Sequence, residues 1–273
     1  MDGQLVAIYC LCDDLLKALH HIEDPQRRMS DAEVMTAALV AALHFGGNFE
    51  KARAWLHALH YLPCVLSRSR FNRRLHAVQD PLAALFYTLG ACFKDLNASA
   101  VYVMDTFPVP VCDNIRIPHG RVYHDKAHRG YTASKRRYFY GVKLFLLATA
   151  EGAPVEALLV PGATGDVRAL EAFSFALPEG STVYADAAFT VYQIEEWLQE
   201  TDGITLLPMR KRNSTRPLPG PVVYLQALRR KQVETAGSQI DRLMPRNIHA
   251  VTASGFELKV MLFVLAYSVS FLV

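Results

Sequence analysis

The sequence predicts an α/β (α+β) protein in which an all-helical N-terminal region precedes a mixed five-stranded sheet with flanking helices. Two changes along the chain lead to this prediction. Apolar residues recur at helical spacing as far as about Leu96, and short β-branched and aromatic runs replace them after Ser99. Those runs first follow one another and then alternate with helical patterns, as in sheets that carry helices on their faces. We therefore divide the 273 residues into a helical region, 1–98, and a second region, 99–273.

The helical region carries several helix-start and helix-stop signals. Ser30 and Glu33 form a capping-box pattern, in which each side chain satisfies a backbone N–H at the helix start. Gly46 and Gly47 end that helix, and Asp80 caps the last helix before the boundary. Together these signals predict helices over residues 5–21, 31–44, 49–60, 68–75 and 80–96.

The fourth of these helices is rich in arginine. Two short helices joined by a tight turn, the second of them basic, are typical of a helix-turn-helix whose second helix enters the major groove. Arginine can pair with guanine or contact phosphate. We therefore predict that DNA is contacted by Arg68, Arg70, Arg73 and Arg74. The alternative is a helical bundle with a basic outer face.

The second region contains five apolar runs, which predict strands over residues 100–104, 138–149, 155–160, 182–185 and 204–207. Helical patterns cover residues 165–177, 190–200 and 225–240, and basic loops cover 119–137 and 210–221. We expect the second loop to be mobile until it binds DNA. Three hairpin-linked strands followed by alternating helices and strands give the element order of the RNase-H-like fold. The apolar C-terminal stretch predicts a core helix rather than a membrane span, because it is of minimal length and carries Glu257 and Lys259.

Three acidic residues are the candidates for catalysis. Asp105 and Asp186 each end an apolar run, and the ends of strands commonly deliver functional groups to the rim of a sheet. Glu234 lies in a later helix that could cross the same rim. Carboxylates are the ligands that Mg²⁺ (or Mn²⁺) prefers, and two such ions can activate the attacking oxygen and stabilise the leaving oxygen of a phosphodiester. The alternatives are a turn start at Asp105, a helix N-cap at Asp186, and a helical ion pair of Glu234 with Arg230 or Lys231.

The charge distribution points to a polyanionic partner. Net charge is only +3, but residues 116–143 hold eight Lys/Arg against one acid, and residues 210–246 hold nine against two. The five cysteines form no CxxC pair, which favours reduced thiols in a cytosolic protein. Histidine pairs at residues 57 and 60 and at residues 124 and 128 lack companion ligands, so we interpret them as surface or capping residues. No signal peptide is evident.

Several segments resemble the bacterial insertion-sequence DDE transposases of the group numbered nine-eight-two. The segment VMDTFPVPVC around Asp105 is similar to the family's first-aspartate motif, and ADAAF around Asp186 is similar to its second. VETAGSQ around Glu234 resembles its glutamate helix. Further matches are ASK at 133–135, YGVKL at 140–144 and SRSRFNRR at 67–74. Two departures stand out: the family usually has Lys-Gly-Tyr where Ala187-Ala188-Phe189 stands here, and an aromatic residue where Gly237 stands.

The resemblance implies an RNase-H-like catalytic domain with two Mg²⁺ or Mn²⁺ ions, ligated by Asp105, Asp186 and Glu234. Asp105 would bridge both ions, and the other two acids would each hold one. It implies that water cuts the end of the element and that the freed 3′-OH attacks target DNA. We predict phosphate contacts by Lys135, Lys143, Arg230 and Lys231. The partners would be terminal inverted repeats and target DNA, bound by a homodimer or larger assembly without a membrane, in the bacterial cytoplasm at the nucleoid.

Two other functions remain open at this stage. A structure-specific nuclease of the same fold would cleave DNA without joining strands. A catalytically dead relic would bind DNA as a regulator without metal-dependent nicking.

Overall fold

The structure, a computed structural model, describes residues 2–113, 122–132 and 136–272. The chain divides into two compact units, one formed by Met1–Leu89 with Ile240–Val273 and the other by Gly90–Gln239. Two helices, α5 (Gln79–Leu96) and α8 (Gly220–Leu243), contribute residues to both units. Compactness concerns packing rather than function, so the assignment of DNA binding to 1–98 and catalysis to 99–273 stays a prediction.

The first unit is built around a buried helix, α2 (Asp31–His44), whose residues are almost all shielded from solvent. The predicted capping box is present at its start, with the Ser30 hydroxyl accepting from the Glu33 N–H and the Glu33 carboxylate accepting from the Ser30 N–H. Around it pack α1 (Asp2–Ala18), α3 (Phe49–Ala58), α4 (Arg68–Ala77) and the C-terminal α9 (Ala253–Val269). Among the described residues, no helix is long and apolar enough to cross a membrane. The prediction of a core helix at the C-terminus fits the packing of α9 on α2.

The connection between α3 and α4 is longer than the tight turn that we expected, since it spans residues 59–67. Side chains of α3 hold it in place. The guanidinium of Arg53, which is 97% buried, donates to the Leu66 carbonyl and lies over the Phe71 ring of α4. His57 contacts the Leu62 carbonyl at 2.9 Å, in keeping with its interpretation as a capping rather than a metal-binding residue.

The second unit contains a mixed sheet, which confirms the predicted fold class. Three antiparallel strands come first: β1 (Val101–Asp113), β3 (Arg137–Thr149) and β4 (Pro154–Pro161). Two parallel strands extend the other edge of β1, namely β5 (Thr182–Ala185) and β6 (Thr205–Pro208). The connections carry α6 (Asp166–Glu171) and α7 (Tyr192–Thr201). This order is consistent with an RNase-H-like fold.

The sheet has a sixth strand, β2 (Arg129–Thr132), in a segment that we had assigned to a basic loop. It pairs antiparallel with the first residues of β3, whereas β4 pairs with the later residues of the same strand. Gly130 makes this pairing possible, because a Cβ there would lie 2.4 Å from the Phe139 ring. Charged residues around this short run concealed its strand character in the sequence.

Several other elements differ in length from the prediction, among them β1 and α6. β1 continues through Pro108 and Pro110 as far as Asp113, because β3 supplies a partner for nearly every residue along it. α6 ends at Glu171, earlier than expected. Phe173 and Phe175 follow it, both buried with their rings 5.0 Å apart. A continuing helix would turn residues two apart to different sides, whereas the observed backbone lets both rings enter the core.

Candidate active site

Asp105 and Asp186 follow directly after the last paired residues of two parallel neighbouring strands. The register of β1 and β5 ends with Met104 opposite Ala185, so the two aspartates come next at the same level. Adjacent strands lie about 4.8 Å apart, which brings the two residues close together where the pairing of β1 with β5 ends, although β1 itself continues to Asp113. Each carboxylate accepts a hydrogen bond from the next backbone N–H, that of Thr106 at 2.7 Å and that of Ala187 at 2.6 Å.

The two aspartates also lie on one face of the sheet. Val103, Phe107 and Tyr184 pack into a single apolar cluster with Ala148, which defines that face. Successive side chains of a strand alternate between faces, so Asp105, between Val103 and Phe107, belongs to the same one. Asp186 stands two residues after Tyr184 on extended backbone and belongs to it as well. The apolar cluster and the two acids therefore lie on the same face of the sheet.

The helix that carries the third acid approaches a side chain of β1 closely at one residue, Gly237. Gly237 lies so near the Phe107 ring that a Cβ there would be 2.0 Å from Phe107 Cε1. Glu234 precedes Gly237 by three residues, and residues three apart share one face of a helix. The buried Gln226, farther up α8, donates to the Leu207 carbonyl of β6 at 2.9 Å and fixes the helix over the sheet. Glu234 is exposed on this helix, about one turn before Gly237, and its convergence with the two aspartates stays a prediction.

Three carboxylates are a donor set that suits a hard divalent cation, because such ions prefer oxygen ligands. In the part of the chain that the structure describes, no three His, Cys, Asp or Glu side chains are already grouped to hold a metal ion. The backbone places Asp105 and Asp186 directly after the paired segments of β1 and β5, and α8 carries Glu234. Metal ligation by these residues stays a prediction.

The basic residues that we predict to contact phosphate near this site differ in their exposure to solvent. Lys143 is largely buried, and its ammonium donates to the Thr164 carbonyl at 2.9 Å and to Asp166 at 3.1 Å, so that it ties β3 to the start of α6. Lys231 is exposed on α8. The side chain of Arg230 and the whole of Lys135 lie outside the described residues. Of this predicted set, Lys231 is the described cation that solvent reaches freely.

The arginines of α4 divide into two kinds. Arg68, Arg70 and Arg73 are exposed, as a DNA-contacting surface requires, while Phe71 and Leu75 anchor the opposite face of the helix in the core. Arg74 is turned inward.

The guanidinium of Arg74 donates to Asp31 at 2.5 and 3.2 Å and to the Met29 carbonyl at 3.1 Å. Asp31 also contacts His21 at 2.8 Å. In this structure Arg74 therefore joins α4 to the start of α2.

The basic segment that begins at Arg210 contacts α7 through two arginine side chains. Arg210 forms two hydrogen bonds with Glu195, at 2.7 and 2.5 Å, and its guanidinium lies over the Tyr192 ring. Arg216 also lies over that ring, 4.5 Å from its centre, and pairs with Glu196. These contacts join this half of the loop to α7, and the ordering of the loop on DNA stays a prediction.

A basic and aromatic surface on the β2–β3 hairpin was not singled out from the sequence. Tyr131 and Tyr138 face each other across the two strands with ring centres 5.0 Å apart, and the Arg129 guanidinium lies 4.2 Å from the centre of the Tyr138 ring. Both tyrosines remain about half exposed. Only the strand register brings these residues together, and the basic composition of the segment was the sole sequence signal.

The comparison with known protein families agrees with this geometry. A family model described as "Transposase DDE domain" matches residues 96–249, more than half of the chain and the part that holds all three acids. The chain belongs to the DDE transposase family. Neither the curated proteins nor the solved structures yielded a significant match.

The departures of this DDE domain from the expected motifs have structural explanations. Phe189, at the position where tyrosine is usual, is buried and packs edge-on against Phe145 with ring centres 5.7 Å apart. A hydroxyl there would need a partner inside an apolar core. At Gly237, where an aromatic residue is usual, the ring of Phe107 occupies the volume that a side chain would need.

Proposed function

We propose that this chain is a DNA transposase of the insertion-sequence group nine-eight-two, which cuts the ends of its element and joins the resulting 3′-OH to target DNA. The observation that carries the proposal is the shared register of Asp105 and Asp186 on neighbouring parallel strands, beneath the helix that carries Glu234. Acids carried by rigid elements of a DDE domain are the ligands that metal-dependent phosphodiester chemistry requires.

In this proposal Asp105, Asp186 and Glu234 would hold Mg²⁺ or Mn²⁺. When bound, the ions lower the pKa of a water or hydroxyl nucleophile and stabilise charge on the leaving oxygen. The protein holds the two aspartates in place through the backbone N–H groups of Thr106 and Ala187. Glu234, exposed on α8, closes the ligand set by a change of its side-chain rotamer.

Substrate binding in this proposal relies on the exposed cations. Arg68, Arg70 and Arg73 on α4 contact the terminal inverted repeat, and Lys231 on α8 contacts phosphate near the acids. The roles of Lys135 and Arg230 as phosphate contacts are carried over from the motif resemblance. Two element ends must be processed together, so the active species is a homodimer or larger assembly on DNA.

The test uses labelled duplexes from both flanks of the gene, incubated with Mn²⁺ and a target plasmid, with wild type beside Asp105→Asn. We expect wild type to give cut and joined products. The variant removes one ligand charge without changing side-chain size, and we expect it to lower product formation by at least about a hundredfold, as loss of a main electrostatic contribution does.

The products separate the proposal from its rivals. Cut products without joined products would indicate a nuclease. Equal activity of the wild type and the Asp105→Asn variant would show that another group performs the reaction. DNA binding that persists with no product from either protein would indicate a regulator or a dead copy.

A further inference from the structure

The first unit contains a cleft of about 560 Å³ whose walls come from two distant parts of the sequence. One wall is formed by the start of α3 and the first turn of α4, and the other by the segment that precedes α9 and by α9 itself. This volume lies within the usual range for ligand sites. Every lining residue belongs to the unit formed by Met1–Leu89 and Ile240–Val273.

The lining of this cleft is strongly cationic. Its charged residues are four Lys/Arg, namely Arg53, Arg68, Arg246 and Lys259, against the single acid Glu50. Arg53 is already used in the core, where it donates to the Phe49 and Leu66 carbonyls. Arg68 and Arg246 are exposed, so their guanidinium groups can turn toward a ligand. The cleft thus combines mobile cations with a fixed cationic wall.

The surroundings of Lys259 are compatible with an anion at this place. Its ammonium donates to the His249 carbonyl and lies 5.6 Å from the centre of the Phe49 ring. Burial and the like charge of Arg68 lower the pKa of Lys259 below its ordinary value. Two cations that disfavour each other in a sheltered cleft are stabilised when an anion binds between them.

We infer that this cleft binds a backbone phosphate of DNA, held jointly by Arg68 of α4, Arg246 and Lys259. The C-terminal segment would then be part of the DNA-binding surface. Arg68 links the cleft to the exposed arginines of α4, since it opens the same helix. Aromatic side chains at Phe45 and Phe49 give the phosphate an apolar border that strengthens charge interactions. This inference rests on the proposed function only in so far as that function requires DNA binding.

The test measures binding of the full-length protein to a short random-sequence DNA duplex across a KCl series, with EDTA present. The variants are Arg68→Gln, Arg246→Gln and the double variant. Lys51→Gln is the matched control, because Lys51 is an exposed cation of α3 that does not line the cleft. Thermal unfolding of each variant checks that it remains folded.

We expect Arg246→Gln to weaken binding roughly three- to tenfold and to reduce the salt slope by about 1, as loss of one phosphate contact does. The double variant should lose less than the product of the two single effects, because both arginines hold the same phosphate. Lys51→Gln should leave affinity and slope nearly unchanged.

Two results would overturn the inference. The first is an unchanged salt slope in Arg246→Gln while Arg68→Gln reduces it. The second comes from a thermal-shift measurement with a deoxynucleoside monophosphate. If the nucleotide stabilises the wild type but not Arg246→Gln, and Arg246→Gln still binds the duplex like the wild type, the cleft binds free nucleotide instead of DNA. The binding assay contains EDTA and therefore does not depend on metal-dependent chemistry. A failure of the proposed DNA cleavage in the Mn²⁺ assay can thus be distinguished from a failure of the cleft to bind DNA.

Discussion

Neighbouring arginines on α4 show how one residue type takes different roles according to burial. Arg73 and Arg74 are adjacent in sequence, yet a helix turns successive side chains by about 100°. Arg73 is directed to solvent, whereas Arg74 is held by Asp31 and the Met29 carbonyl. An exposed guanidinium remains available for DNA, while a part-buried one that is already paired serves mainly to join two helices.

Exchanging each arginine for glutamine should separate these roles. We expect Arg74→Gln to lower the free energy of unfolding by about 2 kcal/mol, because Asp31 loses its main partner in a part-buried position. Arg73→Gln should change stability by less than about 0.5 kcal/mol but weaken DNA binding. Urea unfolding and a salt series of DNA binding measure the two effects. Equal destabilisation by both variants would contradict this division.

At the scale of elements, the candidate site depends on strand register and on one close helix contact. A shift of one residue between β1 and β5 would move Asp105 to the opposite face, because side chains alternate along a strand. The helix contact depends on Gly237, whose missing side chain lets α8 approach the Phe107 ring. Glycine normally weakens a helix, so its presence here is explained by packing rather than by helix formation.

A double-mutant cycle tests the contact between α8 and β1. In the wild-type background, Gly237→Ala should lower both the unfolding midpoint and Mn²⁺-dependent DNA cleavage, because the new Cβ displaces the Phe107 ring and shifts α8. In a Phe107→Ala background the same change should stabilise by about 1 kcal/mol, which is the helix-propensity gain of alanine over glycine. The same sign of effect in both backgrounds would show that the two residues do not compete for space.

At the scale of the whole molecule, the candidate site draws on residues far apart in the chain. Asp105, Asp186 and Glu234 come from two strands and a helix, so only the folded DDE domain can bring them together. Any ion that binds them therefore binds the folded state in preference to the unfolded chain. Such binding stabilises the fold by mass action.

Metal addition should accordingly raise the thermal stability of the protein. With Mn²⁺ at about a hundred times its dissociation constant, we expect a gain of about 2.7 kcal/mol in the wild type. Asp105→Asn and Asp186→Asn should each lose most of this gain, while Glu171→Gln, on the exposed face of α6, should keep it. Thermal unfolding with and without EDTA measures it. If Mn²⁺ stabilised the wild type and all three variants equally, the ion would bind at another site.

The sequence by itself determined most of the order of elements, the capping box at Ser30 and the two aspartates that directly follow apolar runs, because local patterns encode helix starts, strands and turns. It also suggested the transposase family through motifs around those acids. Only the tertiary structure decided that β2 joins the sheet and that Arg74 and Lys143 form ion pairs with Asp31 and Asp166, respectively. It also decided that the Phe107 ring packs directly against Gly237. These features depend on which residues distant in sequence become neighbours, and that information lies in packing rather than in any local pattern.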